Sequence, residues 1–453
     1  MVRAISPYAL SAAALSAACM MSIATLSNTP ARADKPIELS ARFAQAVMTA
    51  GQTQRNYLRV ALNGCQRPPT ERTPVNVAFV IDRSGSMRGG RIAQAREAAA
   101  AAVRRLDKND IASVVVFDDK IDLLVQAQPV DDHAAFIDRI RQIDTRGTTA
   151  IHDGVSEGAQ QVRHNLDPRR LNRVVLLSDG QANVGPRRPE DFAKLGRELL
   201  AQGISVSTIG LGNQYNEDLM LALARASDGN HSYVAETTDL VQVFNREFDD
   251  VLASCAQTVS IDVELKPGMR VVRALSRDGK IEGQTAQFQL NQVYAATEHY
   301  VLMEVEVDPT AAGDDTELGR VRVTYTAAQD GGRQAIEAPI HARFSASTTE
   351  IAASRDNAVI ESVVEQSVRA RTAAAVELRD RGRHGEAQAL FSQNVKEIES
   401  QAAVAPLSGR LQYLKQQYQG IVAEPPASPS ARFEQRKFLR QLDSNPAAAG
   451  ARY

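Results

Sequence analysis

The stretch Val75-Asn76-Val77-Ala78-Phe79-Val80-Ile81-Asp82-Arg83-Ser84-Gly85-Ser86-Met87 sets the fold of this chain. From Val75 to Ile81 only Asn76 is polar. A short apolar run of this kind reads as a strand buried on both faces, as in the middle of a parallel sheet. The run stops at Asp82, and one carboxylate and two hydroxyls then fall at alternate positions, Asp82, Ser84 and Ser86, with Gly85 letting the backbone fold back. Open α/β sheets bind ligands just beyond the carboxyl ends of their strands, where this cluster sits. A carboxylate with two neutral oxygens is a hard-oxygen set, suited to Mg2+ or Mn2+ rather than to zinc. The same residues would also make a plain Ser/Gly turn in which Asp82 caps the next helix.

Downstream, the pattern alternates. Arg91 to Leu106 is rich in Ala and Arg without Gly or Pro and reads as a helix, followed by the apolar strand Ile111 to Phe117. Ile121 to Val125 reads as an edge strand, and Asp131-Asp132 opens a helix through Arg141. A glycine-flanked Thr pair, Arg146-Gly147-Thr148-Thr149-Ala150-Ile151, leads into a helix to about Asn165. The strand Arg173 to Leu177 ends in Ser178-Asp179, so Asp179 occupies the same end of its strand as Asp82 does. Two more strands, Ile204 to Ile209 and His231 to Ala235, alternate with helices that run to about Ala253. This order predicts an α/β fold with a doubly wound, mostly parallel, Rossmann-like sheet.

Residues 74–253 resemble a von Willebrand factor type A (VWA) domain with an intact metal-ion-dependent adhesion site. The resemblance is carried by DxSxS at Asp82, Ser84 and Ser86, by the Thr of a Gly-rich turn, and by the Asp after a later buried strand. Family members usually read GGTAI or GGTNI there, so RGTTAI places the coordinating Thr at Thr149. LLSDGQANVG and IGLGNQYNEDLM also resemble bacterial VWA sequences. The resemblance implies metal ligands Asp82, Ser84, Ser86, Thr149 and Asp179, holding Mg2+ with Mn2+ or Ca2+ as alternatives. It also implies a function: metal-dependent capture of a Glu or Asp offered by another protein, in adhesion or assembly. The alternative from another class is a structural or assembly subunit of an envelope complex, in which the metal only stabilises the domain.

Enzyme motifs do not appear. There is no Gly two places before Ser84 or Ser86, as a nucleophile elbow needs, and no GxxxxGK[ST] or HExxH. A binding module rather than an enzyme is the expectation.

The flanks read differently. Asn56 to Leu62 alternates polar and apolar residues, and residues 258–345 hold a series of alternating strands between Gly, Pro and Asp turns. The expectation is an antiparallel β-sandwich, with residues 34–73 contributing a strand to it and the VWA domain inserted. Residues 356–422 read as a C-terminal helical hairpin turning at Gly382 and Gly385, and 423–453 as a linker and disordered tail.

Arg3, the apolar run Ala9 to Leu26 and Ala31-Arg32-Ala33 have the layout of a signal peptide over residues 1–33, which predicts export to the periplasm or beyond. Cleavage there removes Arg3 and Arg32 and no acid, taking the formal charge from -2 to -4, which gives no electrostatic case for nucleic acid. No later segment is long and apolar enough to span a membrane. The mature chain would keep Cys65 and Cys255, and an even pair in an exported protein predicts a disulfide.

Overall fold

The computed structural model describes residues 37–66, 73–179, 182–212, 216–234, 240–245, 253–328, 331–423 and 438. The signal peptide expected over 1–33, and the linker and tail beyond Ala423 apart from Phe438, lie outside these residues.

Three strands come first: β1 (Ile37–Phe43), β2 (Val47–Thr49) and β3 (Gln54–Gly64). Next, β4 (Val75–Asp82) is buried along its whole length. Because a strand's side chains alternate, it feeds two cores at once. Val75, Val77, Phe79 and Ile81 pack with α1 (Gly90–Val103) and α2 (His133–Arg141). Ala78 and Val80 pack on the opposite face with α3 (Ile151–His164), α4 (Pro189–Leu200) and α5 (Glu217–Ala226). Two glycines bring α3 down onto the sheet. A Cβ on Gly158 would lie 2.4 Å from Val80 Cγ2, and one on Gly154 would lie 2.8 Å from the Phe117 ring.

With β5 (Ile111–Phe117), β6 (Ile121–Pro129), β7 (Leu171–Ser178), β8 (Ile204–Leu211) and β9 (His231–Val234), β4 forms a six-stranded sheet ordered β6-β5-β4-β7-β8-β9. Every neighbouring pair is parallel except β5 with β6. This is the expected doubly wound α/β sheet. Its strand order reverses between β4 and β7, which opens a crevice at their carboxyl ends.

The chain then builds β10 (Ser254–Leu265), β11 (Met269–Ala274), β12 (Lys280–Glu282), β13 (Thr285–Tyr294), β14 (Glu298–Val307), β15 (Gly313–Ala327) and β16 (Arg333–Ser345). They form two sheets, β1-β3-β14-β11 and β12-β13-β10-β15-β16-β2. Leu58, Val60, Val301 and Met303 from the first meet Ile261, Phe288, Val321 and Val323 from the second in one core. Pairing is antiparallel except where β2 adds to β16 in parallel. The α/β unit therefore lies between β3 and β10 in sequence. Cys65 and Cys255 form a disulfide across that insertion, with Cα atoms 5.9 Å apart and a sequence separation of 190.

Two polar clamps hold the α/β unit on the sandwich. The buried Arg173 guanidinium, from β7, donates to Gln292 Oε1 (2.7 Å) and Tyr294 Oη (2.8 Å). Asp228, after α5, accepts from Arg277 Nη1 (2.9 Å) and from the Asn291 amide (2.6 Å).

Beyond the sandwich come α6 (Thr348–Ala353), α7 (Asn357–Asp380), α8 (His384–Ala402) and α9 (Gly409–Ala423). The hairpin of α7 and α8 turns at Gly382, whose φ is +76°. A third long helix joins it, because Leu411, Leu414, Tyr418 and Ile421 give α9 its own apolar face against Phe391 and Ile398. The Tyr418 and Thr372 hydroxyls lie 2.6 Å apart inside that core. Among the described residues no helix is long and apolar enough to cross a membrane.

Candidate metal centre

The carboxyl end of β4 runs straight into the loop that carries Asp82, Ser84 and Ser86. A single 3-10 turn, Gly85–Met87, folds that loop back, and Met87 is fully buried beneath it as a packing residue. Asp82 is itself buried. Its Oδ1 accepts from the Ser84 amide (2.7 Å) and its Oδ2 from the Ser178 hydroxyl at the end of β7. Burial pushes the Asp82 carboxyl up to about 6, against the hydrogen bonds from Ser178 and Ser84 that hold it down.

Ser86 joins the two strand ends. Its Oγ lies 3.0 Å from Ser84 Oγ and donates to Asp179 Oδ1 over 2.7 Å. The other Asp179 oxygen accepts from Arg91 Nη1 (2.6 Å), which also donates to the Ser86 carbonyl (3.0 Å).

Thr149 comes from the loop that precedes α3. It is buried, while Thr148 beside it is exposed. The backbone stitches this loop to both others. The Gly85 amide donates to the Gly147 carbonyl (3.1 Å), and the Arg146 amide donates to the Arg83 carbonyl (2.8 Å). The Asn183 and Val184 amides, after Asp179, donate to the Thr149 carbonyl (2.9 and 3.2 Å). Gly147 is required here: its φ is +68°, and a Cβ would lie 2.0 Å from Asp119 Oδ1. The structure thus gathers the loops of Asp82, Ser84, Ser86, Thr149 and Asp179 at one end of the sheet. The His152 ring stands edge-on to Phe192, with centroids 5.8 Å apart.

A knot of four charges underlies the loops, and no local pattern in the sequence announces it. Arg83 Nε and Arg146 Nε both donate to Asp118 Oδ2 at 2.8 Å. Arg146 Nη2 donates to Asp122 Oδ2 at 2.7 Å, and Arg83 Nη2 also donates to Asp122. Burial works against the Asp118 charge, but Arg146, the Lys120 amide and Arg83 outweigh it and hold the carboxyl below its ordinary range. The Arg83 hydrogen bond does the same for Asp122. Ser178 and Arg91 were likewise not singled out by sequence reasoning. Their only signal is adjacency, Ser178 to Asp179 and Arg91 to the DxSxS loop.

Chemically, the cluster offers two carboxylates and a set of hydroxyls to one small volume, which fits a hard divalent cation. Among the described residues no group of three or more His, Cys, Asp or Glu is placed to hold a metal ion. A cation held here therefore depends on the hydroxyls as well as the acids. A desolvated carboxylate such as Asp82 is also the kind of group that gains most from a neighbouring positive charge.

Comparison with known proteins agrees with this fold. Residues 76–247 match the family model for the von Willebrand factor type A domain. An uncharacterized protein of Synechocystis, sll0103, is 25% identical over 315 residues, which cover 67% of this chain and 74% of that one. The rat inter-alpha-trypsin inhibitor heavy chain H3 is 29% identical over 216 residues, covering 45% of this chain but only 24% of that much longer protein. Among solved structures, a von Willebrand factor type A protein from Catenulispora acidiphila superposes with a TM-score of 0.72 at 16% identity, covering 91% of this chain and 98% of that one. That likeness establishes a shared fold across the sheet, the sandwich and the helices. The α/β unit of this chain, matched over residues 76–247, has the von Willebrand factor type A fold.

Proposed function

We propose that this protein binds a partner protein through a divalent cation, Mg2+ first, held by Asp82, Ser84, Ser86, Thr149 and Asp179. Domains of this type generally mediate protein–protein interaction or adhesion, and they commonly bind a divalent metal. The observation that carries the proposal is the position of Ser86 Oγ, within hydrogen-bond distance of both Ser84 Oγ (3.0 Å) and Asp179 Oδ1 (2.7 Å) at the crevice between β4 and β7. When bound, the cation supplies a positive centre that a Glu or Asp side chain of the partner can approach as a ligand. Asp82 and Asp179 balance its charge, and the hydroxyls supply neutral oxygens. The hydrogen bonds between the three loops keep these groups in register before any partner arrives. No step in this reading forms or breaks a covalent bond, so the protein is a binding module rather than an enzyme.

The setting is an exported one, periplasmic or extracellular. The N-terminal signal-like sequence supports this, and so does the Cys65–Cys255 disulfide, a bond that persists in oxidising compartments.

The test is a Mg2+ titration by calorimetry together with partner capture from an envelope extract, with and without EDTA, using Asp82→Ala as the control. Metal binding and capture should both disappear in Asp82→Ala while the far-UV circular dichroism spectrum is kept. Capture that persists unchanged in EDTA would overturn the reading. Loss of melting temperature in EDTA with capture intact would favour the second reading, a structural subunit in which the metal only stabilises the top of the domain.

A further inference from the structure

Arg91, at the start of α1, is held at the rim of the cluster. Its Nη1 donates to Asp179 Oδ2 (2.6 Å) and to the Ser86 carbonyl (3.0 Å). Gly212, at the end of β8 with φ +69°, makes room for it, since a Cβ there would lie 3.2 Å from Arg91 Nη2. The Arg91 side chain is 41% exposed and that of Asp179 is 0% exposed. The guanidinium therefore faces solvent on one side and a dry carboxylate on the other.

Several charges at the cluster are tied to one another. Arg83 and Arg146 are matched by Asp118 and Asp122. Asp82 and Asp179 carry two negative charges, which a divalent cation balances. Arg91 is bonded to Asp179, and it shares that carboxylate with whatever cation the cluster holds. On the metal reading above, we propose that Arg91 is a specificity-determining residue. It sets a partly exposed positive charge beside the loaded metal that draws in an anionic side chain, and it loosens the site's hold on the metal itself. Like charges a few ångströms apart repel most where water is partly excluded, so the two effects have opposite signs. The ligand class that follows is a carboxylate able to reach the metal and the guanidinium together, as the side chain of Glu or Asp can.

Mg2+ alone is titrated calorimetrically into the full chain and into its Arg91→Gln and Arg91→Lys variants, and glutarate is then titrated into each Mg2+-saturated protein. Arg91→Gln should bind Mg2+ about fivefold more tightly and glutarate about fivefold more weakly than wild type, with Arg91→Lys close to wild type in both. Weaker Mg2+ binding by Arg91→Gln would overturn the proposal, because it would make Arg91 a prop that holds Asp179 in place. Glutarate binding that is unchanged, or absent from wild type, would overturn it as well. A wild-type protein that takes up no Mg2+ would instead remove the metal reading on which the proposal rests, so the two failures are distinguishable.

Discussion

The Ser86 hydroxyl donates to Asp179 Oδ1 across 2.7 Å, joining loops that stand 93 residues apart in sequence. That bond closes the crevice between β4 and β7 on its solvent side, and Ser178 donating to Asp82 closes it beneath. Removing the Ser86 hydroxyl takes away one candidate ligand and frees an oxygen of another. Ser86→Ala should weaken Mg2+ binding by about 10–100-fold. Calorimetry measures it, and an affinity equal to wild type would show that Ser86 is only a loop residue.

Gly158 tests how closely α3 rests on the sheet. An Ala in a helix interior is ordinarily worth about 1 kcal/mol over Gly. Here the added Cβ would lie 2.4 Å from Val80 Cγ2, on a β-branched side chain with little freedom to turn away. Overpacking of this kind costs about 1–3 kcal/mol, which outweighs the propensity gain. Gly158→Ala should therefore lower stability by about 1 kcal/mol in urea unfolding. A gain in stability would mean that α3 can lift off β4 freely.

The disulfide closes a long loop, with 190 residues of separation between Cys65 and Cys255. In the loop-entropy picture such a link removes about 5 kcal/mol of unfolded-state freedom, and measured losses are typically about 2–5 kcal/mol. The Cys65→Ser, Cys255→Ser double variant should unfold at a clearly lower denaturant concentration. Reductant should bring the wild-type midpoint down to the same value while leaving the double variant where it is. Coincident midpoints for the oxidised and double-variant proteins would contradict this.

His299 sets an acid limit on the sandwich. Burial pushes its imidazole down to about 4, with Asp228 and Glu298 opposing that shift and Arg277 adding to it. The unfolded chain takes up this proton near pH 6.5 and the folded chain does not. Stability from this group is thus complete above about pH 6.5 and falls as the pH drops toward 4. The loss between pH 7 and pH 5 should be about 2 kcal/mol, and His299→Gln should flatten it. Equal pH slopes for the two proteins would show that His299 is protonated in the fold.

The α/β class was legible because β4 and β5 are nearly continuous apolar runs and β7 carries Val174-Val175-Leu176-Leu177, as strands covered on both faces do, with helix-like segments between them. The sandwich was legible for the opposite reason: its strands alternate, with one face on the core and one in water. What the sequence did not display was pairing. The parallel addition of β2 to β16 brings together short segments nearly three hundred residues apart, and neither carries a pattern that names the other. The third helix of the C-terminal bundle had the period of a helix, but its apolar face gained meaning only against Phe391 and Ile398.

The sequence by itself determined which side chains stand at the ends of which strands, because periodicity and glycine placement are local properties of the chain. Asp82, Ser84, Ser86 and Asp179 could be placed at strand ends on that basis, whereas the choice of Thr149 and the grouping of all five as metal ligands came from the resemblance to the VWA family. Only the tertiary structure decided their neighbours: Ser178 against Asp82, Arg91 against Asp179, and Arg83 with Arg146 on Asp118 and Asp122. The physical reason is range. A hydrogen bond or ion pair requires atoms within about 3 Å, and segments distant in sequence reach that separation only after the sheet has set the order of its strands.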